Sequence, residues 1–320
     1  MKGLSKETVN WLELDETSEG QRIDNFLLRV LKGVPKSHVY RILRSGEVRV
    51  NSKRVQPTER LHTGDRIRVP PIAISPPSAK PAPGGPPLAG ETLFEDDAML
   101  VIAKPAGVAV HGGSGIAFGV IERLRAQRPE LRFLELVHRL DKDTSGVLLL
   151  AKKRAALVGL HEQIREGHTG KRYLTLVHGA WHNAKQTVRL ALERHVLASG
   201  DRRVTVSDDG KASITTFRRE RAVGAFTLLE AELRTGRTHQ IRVHLSHLGF
   251  PIAGDDKYGD FTLNKKLAPQ GLKRMFLHAR RFECVHPTTG AKLVFEAPLA
   301  PDLQAFLDRL SAAPGQGPLH

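Results

Sequence analysis

Residues 138–146 read His-Arg-Leu-Asp-Lys-Asp-Thr-Ser-Gly, a run of polar and turn-forming residues between two apolar segments, 134–137 and 147–150. A loop between two buried strands is held at both ends, which is a common way to position a reactive side chain. Its two carboxylates, Asp141 and Asp143, have the chemistry of a nucleophile, a base or a metal ligand. The alternative interpretation is a plain turn whose side chains bond backbone amides.

A second polar string, residues 234–244, reads Arg-Thr-Gly-Arg-Thr-His-Gln-Ile-Arg-Val-His. Thr238 suits the N-cap of a helix, and apolar residues follow it at helical spacing: Ile241, Leu245 and Leu248. Arg242 then projects from the first turns of this helix. An arginine there can pair with a carboxylate from another loop and keep it ionised.

The chain around these two strings contains more strand-like than helical patterns. Apolar runs typical of strands lie at 146–151, 172–177, 213–217 and 226–233, and a hairpin is predicted over 92–103. Helical patterns lie at 116–125, 155–165 and 239–248. Because strands rarely alternate one for one with helices, we expect an α+β fold with a mixed, largely antiparallel sheet and peripheral helices.

A proline-rich segment separates this body from a small N-terminal module. Eight of the 19 prolines lie in residues 70–90, so the segment reads as an extended, semi-rigid spacer. We therefore predict a module over residues 1–70, a linker over 71–90, a body over 91–310 and a flexible tail over 311–320.

The N-terminal module has the pattern of two helices packed on a small sheet. Apolar residues at helical spacing are Ile23, Phe26, Leu27, Val30 and Leu31, then Val39, Ile42 and Leu43, with Gly46 ending the second helix. Residues that alternate as in half-buried strands are Val48 and Val50, then Ile67 and Val69.

Positive charge is concentrated in this module. The whole chain has a formal net charge of +15 and a pI near 10.2, and residues 20–70 hold twelve Lys/Arg against four Asp/Glu. Such an excess favours a polyanion as partner, although a solvated basic face is the alternative for any one residue. The residues expected to contact RNA phosphates are Arg22, Lys36, Arg41, Arg44, Lys53 and Arg54.

The remaining composition bears on compartment and cofactors. The single cysteine, Cys284, permits no intramolecular disulfide, and no apolar stretch has the length of a membrane span, so we expect a cytoplasmic protein without a membrane partner. His244 and His247 lie outside any His-Glu-x-x-His pattern, which predicts no metal site. The run 111–115, His-Gly-Gly-Ser-Gly, lacks the ending of a P-loop, so no nucleotide cofactor is expected.

String 138–146 resembles the active-site motif of the pseudouridine synthases of the RluA and RluC type. Further segments resemble the family's other motifs in the right order: 104–107 with His111, 171–174, 234–242, 254–259 and 277–279. Residues 20–70 resemble the αL RNA-binding domain often fused in front of such a body. The stretch 193–211 looks most like the RluC subgroup, whose members modify uridines of large-subunit ribosomal RNA.

The resemblance implies roles for individual residues. Asp141 is the expected catalytic carboxylate, which attacks the ring or the sugar, or removes a sugar proton. Arg242 is expected to pair with Asp141, Tyr173 to lie against the uracil, and Arg139 to enter the space left when the uridine flips out of its stack. Asp143 is expected to be structural. The resemblance implies no cofactor or metal, and we expect a monomer.

Two other functions fit part of the pattern. A non-catalytic ribosome-assembly factor could use the same RNA-binding module, although a binding protein has no use for the carboxylate. A metal-dependent nuclease could use Asp141 and Asp143, and activity that survives a chelator would exclude it. Within the isomerase class, another structured RNA is the alternative substrate.

Overall fold

A computed structural model of the chain describes residues 8–31, 34–72, 85–112, 118–196 and 202–312. The chain divides into two compact units, residues 1–83 and 84–320, and each is considered by itself. Several predicted features fall wholly or partly outside the described residues: most of the linker, the tail beyond residue 312, part of the glycine-rich run 111–115 and part of the stretch 193–211.

The N-terminal unit has the predicted two helices and a small sheet. Its elements are β1 (Asn10–Glu13), α1 (Ile23–Val30), α2 (Lys36–Arg44), β2 (Arg49–Val50), β3 (Lys53–Arg54) and β4 (Arg66–Val69). The strands form an antiparallel sheet in the order β1-β4-β2-β3. The apolar faces of both helices and of β4 form one buried cluster, which also contains Ile72. The helical spacing therefore identified the core-facing residues correctly.

The second unit is built on one large sheet. Its strands are β5 (Glu91–Glu95), β6 (Met99–Lys104), β7 (Glu135–Leu136), β8 (Ser145–Ala151), β9 (Gly170–His178), β10 (Lys185–Val196), β11 (Arg202–Val206), β12 (Lys211–Val223), β13 (Phe226–Leu233), β14 (Leu277–Val285) and β15 (Lys292–Glu296). Its helices are α3 (Val120–Gln127), α4 (Arg154–Glu166), α5 (Gln240–His247), α6 (Phe261–Leu267) and α7 (Pro301–Ala312).

The sheet order is β11-β10-β12-β13-β9-β14-β8-β6-β5, with β15 on β14 and β7 on β8. Among the described strands, every pairing of this sheet is antiparallel except that of β14 with β8. The expected α+β fold with a mixed, largely antiparallel sheet is therefore confirmed. The hairpin predicted over 92–103 is formed by β5 and β6.

Strand β8 is an inner strand of this sheet, between β14 and β6, and all seven of its residues are buried. Leu148 and Leu150 belong to the cluster on one face of the sheet. Val147 and Leu149 belong to the cluster on the other face, with Leu160 of α4. The predicted buried strand after the polar loop is thus packed on both sides, which fixes the end of that loop.

The parallel pairing of β8 with β14 requires a glycine. Gly146 has φ of 111°, and a Cβ there would collide with the backbone carbonyl of Ala279 on β14. The register places Ala279 opposite Gly146 and His278 opposite Ser145. The glycine that ends the string 138–146 therefore allows the two strands to approach where the polar loop meets the sheet.

Candidate active site

Asp141 lies in the loop that joins β7 to β8, two strands that pair antiparallel. The loop contains a turn in which the Asp141 carbonyl oxygen accepts a hydrogen bond from the Thr144 N–H at 3.2 Å. The Asp141 side chain is 25% exposed. Its carboxylate therefore remains accessible while its backbone is tied into the sheet.

A cavity of about 290 Å³ opens beside this carboxylate. Its walls come from the β7–β8 loop, from β9 and from the segment that enters α5. It brings together all four residues expected at the active site: Arg139, Asp141, Tyr173 and Arg242. Distant parts of the chain thus form one concave, partly polar pocket of the kind that binds a small group of atoms.

Arg242 connects Asp141 to a second carboxylate, that of Asp255. Its Nη1 donates to Asp141 Oδ2 at 3.1 Å, and its Nε and Nη2 donate to the two oxygens of Asp255 at 2.7 Å each. Burial alone would lower the pKa of Arg242, but the bonds and charge of Asp255, together with the charge of Asp141, raise it above its ordinary value. The guanidinium is therefore a permanent cation held at a fixed angle to Asp141.

Asp255 is a site residue that the sequence reasoning did not single out. It is completely buried, and its Oδ1 also accepts the backbone N–H groups of Lys257 and Tyr258 at 2.8 and 2.9 Å. Burial by itself raises the pKa of Asp255, but the bonds from Arg242 and these amides bring it below its usual value. The available signal was its place in the run 254–259, one of the segments that carry the family resemblance.

The start of α5 differs from the prediction. Thr238 is not the N-cap: the helix begins at Gln240, and His239 occupies the cap position with φ of 53° and no side-chain cap. The Gln240 amide takes over the role of tying this turn, because its oxygen accepts the Arg237 N–H and its nitrogen donates to the Ile214 carbonyl of β12. A tertiary contact thus replaced the local cap that the sequence favoured.

His239 also enters the site without having been predicted. Its Nδ1 lies 2.8 Å from the Tyr258 hydroxyl, and its Nε2 lies 3.9 Å from Asp141 Oδ2. Burial lowers the pKa of His239, although the charge of Asp141 works in the opposite direction. A neutral imidazole therefore borders the same oxygen of Asp141, Oδ2, that Arg242 Nη1 bonds.

Tyr173 lies on β9 between Ala231 of β13 and Ala279 of β14, and its side chain lines the cavity. The residue is 8% exposed. Burial, and then the nearby charge of Asp141, raises the pKa of Tyr173. Its ring is thus held against small neighbours as a neutral phenol, a suitable surface for a planar base.

Arg139 is exposed and also lines the cavity. Within the described parts of the chain its guanidinium forms neither a hydrogen bond nor an ion pair. It is therefore available to move towards a ligand, as its predicted role requires.

Two basic side chains, one buried and one largely buried, hold the loop from behind. Lys104 is 1% exposed, and its ammonium donates to the carbonyls of Pro105, Val108 and Lys142 at 2.7, 2.8 and 3.0 Å. Burial lowers the pKa of Lys104 to about 7. The main chain next to Asp141 is thereby tied to the segment that follows β6.

Arg274 holds the far end of the same loop. It donates to the Asp143 carbonyl and to Ser145 Oγ at 3.2 Å each, and it is fixed by two bonds of 2.6 and 2.9 Å to Asp302 of α7. The Asp143 carboxylate itself makes no hydrogen bond among the described residues. It lines a different cavity from that of Asp141. The structure therefore does not bring the two loop carboxylates together.

The six predicted RNA contacts of the N-terminal unit are not equally available. Lys36, Arg41, Arg44, Lys53 and Arg54 are exposed. Arg22, in contrast, is half-buried and forms an ion pair of 2.6 Å with the buried Asp24. Arg22 therefore has a partner inside its own unit, and all six contacts stay predictions.

The described residues contain no group of three or more His, Cys, Asp or Glu side chains arranged to hold a metal ion. Over the same ranges, no helix has the length and apolar character needed to cross a membrane.

Comparison with known proteins adds the family to this geometry. A family model of RNA pseudouridylate synthases matches residues 98–247, and an S4 domain model matches residues 21–67. The chain is 54% identical over 301 residues to the ribosomal large subunit pseudouridine synthase C of Salmonella typhi, covering 91% of this chain and 93% of that protein. It is 53% identical over 316 residues to the protein of the same name from Escherichia coli strain K12, covering 96% and 98%.

A solved structure, that of human RNA pseudouridylate synthase domain containing 4, aligns with a TM-score of 0.56 at 25% identity. The alignment covers 68% of this chain and 92% of the human one. The fold, the order of the motifs and the sequence identity of 53% and 54% over nearly the whole chain agree. The chain belongs to the RNA pseudouridylate synthase family, with an S4 domain in front of the synthase body.

Proposed function

We propose that this protein is an isomerase that converts specific uridines of large-subunit ribosomal RNA to pseudouridine, with Asp141 as its catalytic carboxylate. One observation carries the assignment of Asp141. Its carboxylate, bonded by Arg242 at 3.1 Å, opens into the cavity that Tyr173 also lines. The substrate class is supported by the names of the relatives that match almost the whole chain.

The reaction needs an ionised carboxylate and no group donor. The bond from ribose C1′ to uracil N1 breaks, the base rotates, and C1′ bonds to C5, while a proton leaves C5 and another joins N1. Asp141 starts this sequence by attack on the ring, by attack on the sugar, or by removal of a sugar proton. In each route the fixed cation of Arg242 keeps the carboxylate charged and directed.

The geometry disfavours the two alternative functions. A binding protein gains nothing from a carboxylate held by a buried arginine that is itself paired with Asp255. A two-carboxylate nuclease needs Asp141 and Asp143 to share one metal, but the two side chains line separate cavities. We also propose that the enzyme acts as a monomer in the cytoplasm.

The proposal is tested by mapping pseudouridine in ribosomal RNA and in the other structured RNAs of cells with and without the gene. We expect individual large-subunit positions to lose the modification, and the wild-type gene to restore it where an Asp141→Asn gene does not. Identical maps in the two strains would contradict the proposed substrate. Loss confined to another structured RNA would favour the alternative substrate.

We expect Arg274→Met to lower the single-turnover rate by roughly ten- to a hundredfold, because the loop backbone beside Asp141 loses its anchor and small displacements of a catalytic group are costly. RNA affinity should change little, since Arg274 lies behind the loop. Arg281→Met is the matched control: like Arg274, Arg281 is held by carboxylates of this unit, here Glu283 and Glu296, but it bonds no atom of the loop. Equal rates for both variants would show that the anchor has no role in catalysis.

We expect deletion of residues 1–72 to weaken RNA binding and to flatten its salt dependence, because exposed cations are lost with it. The deletion removes Ile72 together with the cluster to which it belongs, while the clusters of the synthase body contain no described residue before Leu88. The single-turnover rate at saturating RNA should stay within about threefold of the full-length value. An unchanged salt slope would show that the module is not an RNA anchor.

A further inference from the structure

Lys171 is a buried cation that the mechanism above does not use. It lies on β9 two residues before Tyr173, on the same face of the strand, and lines the same cavity as Asp141. The residue is only 8% exposed. Within the described part of the chain, no acceptor bonds its ammonium group and no carboxylate pairs with it.

The other buried lysine of this unit shows what a satisfied ammonium looks like in this fold. Lys104 donates to three backbone carbonyls at 3.0 Å or less. A largely buried charge that lines a cavity without such partners is costly, and burial accordingly lowers the pKa of Lys171. This cost in free energy is explained if a ligand supplies the anion that pairs with the Lys171 ammonium.

Among the described residues, no carboxylate supplies a counter-charge to Lys171. Its neighbour His138 is stacked on Phe282, and burial, followed by the charge of Lys171, lowers the pKa of His138 to about 3. The carboxylate of the cavity, that of Asp141, is already bonded by Arg242. The exposed Arg139 adds a further positive charge to the cavity wall. This side of the cavity is therefore cationic.

We propose that Lys171 binds one of the two phosphates that flank the target uridine. The inference rests on the proposed function, since uracil and ribose are uncharged and the flanking phosphates are the anions that enter the cavity with them. Lys171 and Tyr173 are two positions apart along the same strand, a distance of about 7 Å. That spacing lets one nucleotide place its base against Tyr173 and its phosphate against Lys171.

The test combines a protein change with a change in the RNA. The probes are oligonucleotides that contain the target uridine, with a neutral methylphosphonate in place of the 5′ or the 3′ flanking phosphate. For the wild type we expect one of these substitutions to weaken binding about tenfold, the loss of one charge-assisted contact. Lys171→Met should weaken binding of the unmodified RNA to the same extent. The affinity of this variant should be the same for the RNA with and without that methylphosphonate.

Two further variants and two further measurements distinguish a specific phosphate contact from a non-specific attraction of RNA to positive charge. Lys171→Arg should retain most of the affinity and the sensitivity to the methylphosphonate. Lys292→Met, which removes an exposed cation of β15, should bind and respond like the wild type. Lys171→Met should also reduce the salt slope by about 0.7, the value for one phosphate contact on a single strand. Its rate at saturation should stay within about threefold, because a contact made equally in ground and transition states changes KM alone.

Stability provides an independent check, since Met removes an unpaired buried charge without leaving a partner exposed. Lys171→Met should unfold at the same temperature as the wild type or higher.

The inference would be overturned if Lys171→Met bound the unmodified RNA as tightly as the wild type does. It would also be overturned if each methylphosphonate weakened RNA binding by Lys171→Met as much as it weakens binding by the wild type. A large loss of saturating rate with normal affinity would also overturn it, because Lys171 would then act on the reacting atoms. Wild-type protein that binds this RNA but forms no pseudouridine would contradict the proposed function while leaving the binding test of Lys171 valid.

Discussion

We expect Asp141→Asn to abolish pseudouridine formation, with a fall in rate of several orders of magnitude, and to leave RNA affinity within about twofold of the wild type. Asparagine keeps the size of the side chain but serves neither as a nucleophile nor as a base. The fold should persist, because Asp141 is partly exposed and Arg242 retains its two bonds to Asp255. The measurement is single-turnover conversion of a ribosomal RNA fragment, with affinity determined on the same samples.

Asp143→Asn is the matched control for this variant. It makes the same chemical change two residues away, and the loop contact of Asp143 to Arg274 uses its backbone carbonyl, which the substitution retains. Its rate should therefore stay within about tenfold of the wild type. The opposite ranking of the two variants would show that the other carboxylate carries the chemistry.

The elements that could be predicted from the sequence are those with strong local periodicity. The helical pattern at 155–165 corresponds to α4 (Arg154–Glu166), and the apolar run 226–233 coincides with β13 (Phe226–Leu233). The pattern at 116–125 is shifted, since α3 begins at Val120. Strand β10 was not singled out, although Val188, Leu190 and Leu192 follow a strand-like alternation; its backbone pairs with β12 and β11.

The site was predicted only in part, for a physical reason. Asp141 and Arg242 are 101 residues apart, and no local pattern specifies that contact, which the family resemblance supplied. Lys104 and Arg274 hold the loop through backbone carbonyls. Because every residue has a backbone carbonyl, the sequence does not show which of them accepts such a bond. Asp255 was present in a recognised motif, but its bond to Arg242 becomes visible only in three dimensions.

We expect Arg242→Met to lose both activity and stability, and the two losses to be separable. Arg242 is 7% exposed and lies between the partly exposed Asp141 and the completely buried Asp255. Its removal leaves Asp255 as a buried charge without a cation, which typically costs about 3–5 kcal/mol. The rate should fall by roughly a hundredfold or more, because Asp141 loses the group that orients it and keeps it charged.

The double variant Arg242→Met/Asp255→Asn distinguishes the two effects. The amide oxygen that the second substitution introduces can still accept the backbone N–H groups of Lys257 and Tyr258, and no buried charge remains, so most of the stability should return. The rate should not return, because Asp141 still lacks its cation. Recovery of activity together with stability would show that Arg242 matters only for folding and has no electrostatic role towards Asp141.

The pH dependence of unfolding tests whether the charge of Asp255 is what destabilises Arg242→Met. In the wild type the pKa of Asp255 is below its usual value, so its contribution to stability is present above the unfolded pKa and is lost only as pH falls through the folded one. Without Arg242, burial should raise the pKa of Asp255, and protonation should then stabilise the folded state. The deficit in unfolding temperature of Arg242→Met should therefore shrink between about pH 7 and pH 5, whereas the double variant should show no such trend. A deficit independent of pH would mean that lost packing, and not the uncompensated charge of Asp255, destabilises the variant.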